Sequence, residues 1–235
     1  MNWLIANYVF TAPFSLKNSL ATSSGGKTNL VPTMFSIKMA LIDASFRIGL
    51  DGEKEFEWIK SLRIRLKPPK KAVVQNSFVK IQKESRKEIL KENPDQCFTS
   101  TVGLREYVIF DGDLSIAIKI EDLNDSQIEV LQKLLTHINQ LGKRGCFVQL
   151  KQMDKLEEVS GPFTFTLDDS EITLPHSLTV QYLDDMGDKA RFPSINSFDE
   201  TKSTIGKDRL FIPVGLPYQL TKSSRGFTLY ERIDV

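Results

Sequence analysis

Hydrophobic residues along this chain alternate between two spacings, and each change of spacing marks an element. Leu4 to Thr11 is a run of apolar and β-prone residues closed by Ala12-Pro13, which predicts a first strand. Ser15 to Val31 sustains no period and predicts a polar loop, until Pro32-Thr33 opens the next element. Met34, Ile37, Lys38, Leu41, Ile42, Ser45 and Phe46 then fall at helical spacing, with Thr33 placed as N-cap and Gly49 just past the helix end. Ser61 to Leu66 alternates Leu62, Ile64 and Leu66 with Arg63 and Arg65, the pattern of a half-buried strand whose outer face is positive. Val73 to Ile81 is expected to continue that sheet beyond the Pro68-Pro69 turn. Gln82 to Thr101 reads as an excursion from the core, helix-prone up to Lys91 and broken at Asn93-Pro94.

Tyr107 to Phe110 and Leu114 to Ile120 predict two strands joined as a tight hairpin through Asp111-Gly112-Asp113, where Asp-Gly supplies positive φ. Asp125 or Ser126 is expected to cap a helix carrying Ile128, Leu131, Leu134, Leu135, Ile138 and Leu141 on one face, with Gly142 as its stop. A strand from Cys146 to Lys151 follows the loop Gly142-Lys143-Arg144-Gly145. This order is compatible with an α+β architecture, a ferredoxin-like βαββαβ unit over residues 1–155 with an insertion in its middle. Short β-like pieces at Phe163 to Leu167, Ser177 to Tyr182, Arg209 to Val214 and Gly226 to Arg232 predict a β-rich extension over 156–235.

Composition narrows the class without naming a function. A chain of 235 residues suits one large domain, or one with an appendage, because single cores stop growing at about 250 to 300 residues. The start lacks a basic region followed by a sustained apolar run, and no stretch approaches the ~18 apolar residues that cross a bilayer, so a cytoplasmic protein without membrane contact is expected. Two cysteines, Cys97 and Cys146, make neither a disulfide framework nor a metal-ligand pattern and read as small buried apolar residues. No cofactor is implied.

Net charge of +1 conceals a division. Between Lys60 and Lys91 lie eleven Lys or Arg residues against two acids, whereas from Asp154 to Glu200 there are eleven acids against three cations. A basic segment broken into strand-like pieces is the footprint of a surface that neutralises phosphates; the alternative is a solvated face.

Individual motifs divide in the same way. Ala21 to Thr28 fits a relaxed phosphate-loop pattern, but Pro32 falls where its helix should continue. His137, read as mid-helix near the apolar face, and His176, after Pro175, lie in no nucleophile or ligand motif. The acidic pairs Asp168-Asp169 and Asp184-Asp185 have the chemistry to hold a divalent ion but read as solvated surface. Gly142 to Gly145 is either a helix stop with dipole-compensating cations or a loop that lets backbone and two cations approach phosphates. A ferredoxin-like sheet would bring it near Lys17, Asn18 and Lys27. Phe78 and Phe98 are candidates for base stacking or for the core.

Several segments together resemble one family. Val31 to Leu41, Phe78 to Ile81, Ser100 to Phe110 and Gly142 to Gly145 are similar to segments of the CRISPR-associated RAMP subunit that caps the 5′ end of the guide RNA (crRNA) in Cascade complexes. The resemblance covers about residues 1–150 and implies a thumb-like insertion near 67–104, the glycine-rich loop of RAMP folds at 142–145, and a function in antiviral defence or RNA-guided DNA targeting. It implies as partners the crRNA 5′ handle, the Cascade backbone and large subunits and, through the complex, target DNA near the PAM. Candidate RNA contacts are Lys17, Asn18, Lys27, Lys38, Lys80, Lys83, Arg86, Lys87, Arg105, Lys143 and Arg144. A branch of the family cleaves precursor RNA with a tyrosine and a lysine-histidine pair. Here Thr136 precedes His137 and Pro175 precedes His176, so a binding subunit without nuclease activity is expected. Repeat-processing endoribonuclease and protein-interaction module are the competing readings. The acidic second half, Asp184-Asp185 in particular, is expected to dock basic neighbours.

Overall fold

The computed structural model describes residues 2–21, 26–166 and 178–234. Strand β1 (Trp3–Phe10) is central to a four-stranded sheet in the order β2-β5-β1-β6, formed with β2 (Ile64–Lys67), β5 (Leu114–Lys119) and β6 (Val148–Leu156). All neighbours in it are antiparallel. Helices α1 (Met34–Arg47), α2 (Gly52–Ser61) and α4 (Asp125–His137) belong to the same part of the chain. Successive side chains of a strand face opposite ways. Leu4, Ala6 and Tyr8 therefore join the main core with Ile37, Leu41, Leu131 and Leu135, while Ile5 and Ala117 pack with Phe163 in a smaller cluster. The buried Tyr8 hydroxyl donates to Leu135 O at 2.6 Å, tying sheet to helix, and burial raises its pKa.

The helices begin where local chemistry starts them. Thr33 Oγ1 accepts from Ser36 N at 3.2 Å, Asp51 Oδ1 from Glu53 N at 3.1 Å, and Asn124 forms a capping box with Gln127. The cap of α4 is thus Asn124, one residue ahead of the expected Asp125 or Ser126. Its helix ends at His137, short of Gly142. Ile138 and Leu141 keep helical spacing and are buried although the chain has already left the helix. Helix α2, which buries Phe56 and Ile59 three residues apart, was not expected from the sequence pattern.

A second sheet has the order β10-β11-β3-β4 and is dominated by a long ribbon, β3 (Lys71–Glu84) with β4 (Phe98–Asp111), paired from Lys71↔Asp111 to Glu84↔Phe98. Strand β11 (Phe227–Arg232) pairs with β3 only at Lys71–Gln75, and β10 (Tyr218–Ser223) lies outside it. The distal ribbon is two-stranded, with α3 (Lys87–Glu92) at its tip. Two expectations change here. Residues 73–81 do not extend the sheet of β2, and 107–120 is not a hairpin: β4 pairs with β3 while β5 pairs with β1 and β2. Gly112 has φ +122° as the turn chemistry requires, but it carries the chain from one sheet to the other.

The C-terminal part forms a third sheet, β7-β9-β8, from β7 (Phe165–Thr166), β8 (Thr179–Met186) and β9 (Arg209–Leu216), with short α5 (Phe192–Ile195) between the last two. Leu183, Met186, Val214 and Leu216 share the main core with α1 and the first sheet. Leu66 N donates to Thr164 Oγ1 at 2.9 Å and Thr164 N to Leu66 O at 2.7 Å. The Tyr218 hydroxyl donates to Pro69 O at 2.7 Å.

Lys38 lies at this seam and is only 2% exposed. Its ammonium pairs with Asp185 Oδ1 at 2.7 Å and donates to Lys60 O at 2.8 Å. Burial pushes the Lys38 pKa down and that of Asp185 up, against their mutual attraction. Desolvation consumes most of the Coulomb gain in such a pair, yet removing one partner strands the other charge. Lys38→Ala should lower unfolding free energy by about 3 kcal/mol in urea titration, and Lys38→Met with Asp185→Asn should recover most of it. A single-variant loss under about 1 kcal/mol would contradict the seam assignment.

Candidate nucleic-acid interface

The irregular segment after β1 is fastened at three places. Phe14 exchanges backbone hydrogen bonds with Val108 of β4 at 3.0 and 2.7 Å, inside a ring cluster with Phe10 and Phe110. Leu16 N donates to Thr28 Oγ1 at 2.9 Å, and Asn29 N to Leu16 O at 2.7 Å. Gly26 N donates to Leu104 O at 2.8 Å, and Glu106 N donates to Gly26 O at 2.9 Å. The segment therefore runs from the first sheet to the base of the β3–β4 ribbon.

The loop after α4 reaches the same place. Leu141 N donates to Cys146 O and Cys146 N to Lys143 O, each at 3.0 Å, closing a turn with φ of +78° at Gly142 and +93° at Gly145. A Cβ on Gly142 would sit 2.8 Å from Leu16 Cδ2 and 3.5 Å from Ser36 Cβ, so glycine lets this turn seat against both the post-β1 segment and the start of α1. The result is a cleft of about 670 Å³. Lys17 and Lys143 line it beside Thr33 and Ser36 of the α1 N-terminus, whose dipole adds positive potential. Phe35, Met39 and Ala40 supply apolar lining, and Arg209 of β9 closes one side. The Arg209 guanidinium pairs with buried Asp184 and lies 4.6 Å from the Phe35 ring centroid.

The structure brings together some of the expected contacts and separates others. Lys17 and Lys143 share the cleft, and Arg144 is exposed on the same turn. Asn18 is half-buried and closes a local turn, its Oδ1 accepting from Leu20 N at 3.0 Å. Lys27 pairs with Glu106, and Arg105 is half-buried against Gly26 at the ribbon base. Lys80, Lys83, Arg86 and Lys87 are exposed. Lys80 and Lys83 are an odd number of residues apart on one strand and therefore face opposite sides of the ribbon. Lys83 shares its side with Arg105, and Lys80 shares the other with Phe78, Val102 and Leu104. Phe78 is 80% and Phe98 62% exposed, which removes the core role open to them in the sequence. They lie on one face, six residues apart in register, or roughly 20 Å at ~3.3 Å per residue.

Four expectations are corrected. Lys38 is almost wholly buried and its ammonium is held by Asp185 and Lys60 O, so it is a structural cation and not an exposed RNA contact. Asp184 and Asp185 are spent on Arg209 and Lys38 and do not form an acidic docking patch. Cys97 is exposed, and only Cys146 is buried. His137 ends α4 and is exposed, its Nδ1 2.8 Å from Lys133 O. His176, Asp168-Asp169 and residues 22–25 of the phosphate-loop pattern lie outside the described residues; the flanking Gly26 is strand-paired to β4, and the next helix begins only at Met34. Sequence reasoning missed Phe35 and Arg209. Phe35 is an aromatic placed off the apolar stripe of its helix, and that was the available signal.

A second cleft of about 440 Å³ is lined by Lys38, Lys60, Arg63 and Lys119 among others. Arg65, Asp185 and Asp188 also line it, and Lys38, Lys60 and Lys119 pair with Asp185, Glu57 and Glu121 at 2.7, 2.8 and 2.6 Å. Among the described residues no cluster of His, Cys, Asp or Glu could hold a metal ion, and no helix is long and apolar enough to cross a membrane.

Antiparallel sheets carrying a long ribbon and a cationic cleft define a mixed α/β protein whose fold resembles that of a solved CRISPR protein from Archaeoglobus fulgidus. The two superpose with a TM-score of 0.52 over 99% of this chain and 92% of that one, at 12% identity. In sequence the chain has a curated homologue, the CRISPR-associated protein Cas5 of Archaeoglobus fulgidus, 25% identical over 206 residues that span 84% of this chain and 86% of the relative. A chain from a CRISPR RNA-guided surveillance complex aligns with a TM-score of 0.46 and 14% identity, covering 91% of this chain and 90% of that one. No family model matches.

The two glycines of the turn separate backbone from contact effects. Gly142→Ala and Gly145→Ala each place an L-residue at left-handed φ, a cost of roughly 1–2 kcal/mol. Only the first also displaces Leu16, so urea denaturation should show Gly142→Ala as the more destabilised of the two.

Proposed function

We propose that this protein is a non-catalytic subunit of a type I CRISPR Cascade surveillance complex, acting in the cytoplasm, and that it holds the 5′ handle of the crRNA. The observation that carries this reading is the seating of the Gly142 turn against Leu16 and Ser36, which sets Lys143 and Lys17 in one cleft at the N-terminus of α1. Homology with a CRISPR-associated protein Cas5 supports it. The order β2-β5-β1-β6 with α1 and α4 supports reading the first sheet as a ferredoxin-like βαββαβ unit. On the same reading the β3–α3–β4 ribbon is a thumb inserted between β2 and β5.

The thumb surface suits single-stranded RNA. Bases of a single strand stack on exposed aromatics while its phosphates meet cations. Phe78 with Lys80 offers this pair on one ribbon face, and Arg105 with Lys83 gives the other face its charge. The post-β1 segment connects cleft and ribbon, so one strand can follow Lys143, Lys17 and the ribbon base. Backbone and large subunits, and target DNA near the PAM, are the further partners of this reading.

Salt dependence tests it. Log affinity for single strands falls with log salt by about 0.7 per phosphate contact. Replacing Lys17, Lys143 and Arg144 by Gln should therefore reduce the slope for crRNA-handle oligomers by about 2. Replacing Lys80, Lys83, Arg86 and Lys87 should flatten it further, and an unchanged slope would remove the ribbon from the interface. Repeat RNA incubated with the protein should remain intact on a gel, and cleavage would overturn the non-catalytic assignment.

A further inference from the structure

The cleft between Gly142 and α1 is more than a phosphate groove. Phosphates need donors and cations, and Lys17 and Lys143 at its rim supply the charge. They have no use for Phe35, Met39 and Ala40, which line the same space. Its volume of about 670 Å³ lies within the range of small-molecule sites. Asp43 and Asp184 also line it, paired with Arg47 and Arg209, and apolar lining beside Lys17 and Lys143 is a division that suits a nucleotide.

Two further observations point to a flat ligand with a polar edge. The Arg209 guanidinium lies 4.6 Å from the Phe35 ring centroid and is held by Asp184, which is itself buried. Guanidinium planes and aromatic rings are the two surfaces on which unstacked bases settle. Asn29, 4% exposed, also lines the cleft, and its Oδ1 has no hydrogen-bond partner among the described residues. A buried carboxamide without its partner costs free energy, and rotation of its amide presents either a donor or an acceptor to a base edge.

We propose that this cleft seats one unstacked nucleobase of the bound strand against the Phe35–Arg209 stack, with Asn29 at its edge and the neighbouring phosphates on Lys17 and Lys143. The inference rests on the reading of the protein as a single-stranded RNA binder. It makes β9, from the C-terminal part of the chain, a contributor to an RNA site otherwise built from the first half. Arg209 is a specificity residue here: the ion pair with Asp184 and the rings of Phe35 and Phe211, 4.6 and 6.0 Å away, hold its guanidinium in the cleft wall, and the base packs against that wall.

The test uses the full chain and short single-stranded RNA oligomers in which one abasic nucleotide is moved along the strand. With the wild-type protein, one position should lose about tenfold in affinity when its base is removed. In Arg209→Lys, which keeps the charge for Asp184 but loses the plane, that position should become insensitive to the base while the salt slope stays as in wild type. Phe35→Leu should act in the same direction, with thermal melts confirming that both variants fold. If abasic penalties in both variants match those of wild type at every position, the base seat is overturned while RNA binding stands. If the wild-type chain binds the oligomers with no dependence on salt, the RNA reading falls and the seat with it. A free nucleoside monophosphate competing as strongly as the oligomer would overturn the assignment to a strand.

Discussion

Two backbone hydrogen bonds between Phe14 and Val108 hold the architecture together at its functional end. β1 is central in the first sheet and β4 belongs to the second, so this bridge fixes the exit of one against the base of the other. Phe10, Phe14 and Phe110 shield it with mutually packed rings, and hydrogen bonds removed from water do not exchange with solvent partners. From that point the chain has two obligations. It lays Leu16 against the Gly142 turn and Gly26 against Leu104 and Glu106, which places the cleft and the ribbon base on one continuous segment.

The C-terminal sheet depends on the same frame and alters its electrostatics. Its β7 has only two residues, and the sheet shares its core with α1. Its acids are used at the seam: Asp185 neutralises Lys38 in the interior, and Asp184 orients Arg209 at the cleft. The acidic excess of the second half thus serves in part to position cations of the whole fold. Exposed cations remain at Lys17, on the 142–145 turn and along the ribbon, and also elsewhere on the surface, as at Lys202, Lys222 and Arg225.

What the sequence disclosed follows from the range of each signal. Strand β1, helix α1 and its Thr33 cap depend on neighbours within a few residues, and they lie where the pattern puts them. The Asp111-Gly112-Asp113 turn was legible as a turn but not as a change of sheet, because positive φ at glycine satisfies both. Ile138 and Leu141 continue helical spacing beyond the end of α4, since burial alone does not distinguish a helix from a buried extended turn. Lys38 was misplaced because a cation on an apolar stripe carries no mark of its partner 147 residues away. In the cleft, Lys17 and the 142–145 loop were legible through charge and glycine spacing, whereas Arg209 required the tertiary fold.

The most direct test of the central claim is to purify the tagged protein from its native cells in mild salt and sequence the short RNA that accompanies it. A population sharing one repeat-derived 5′ end is the predicted result. An intact multi-subunit preparation with no enriched RNA would contradict the account and leave the basic surface to a protein partner.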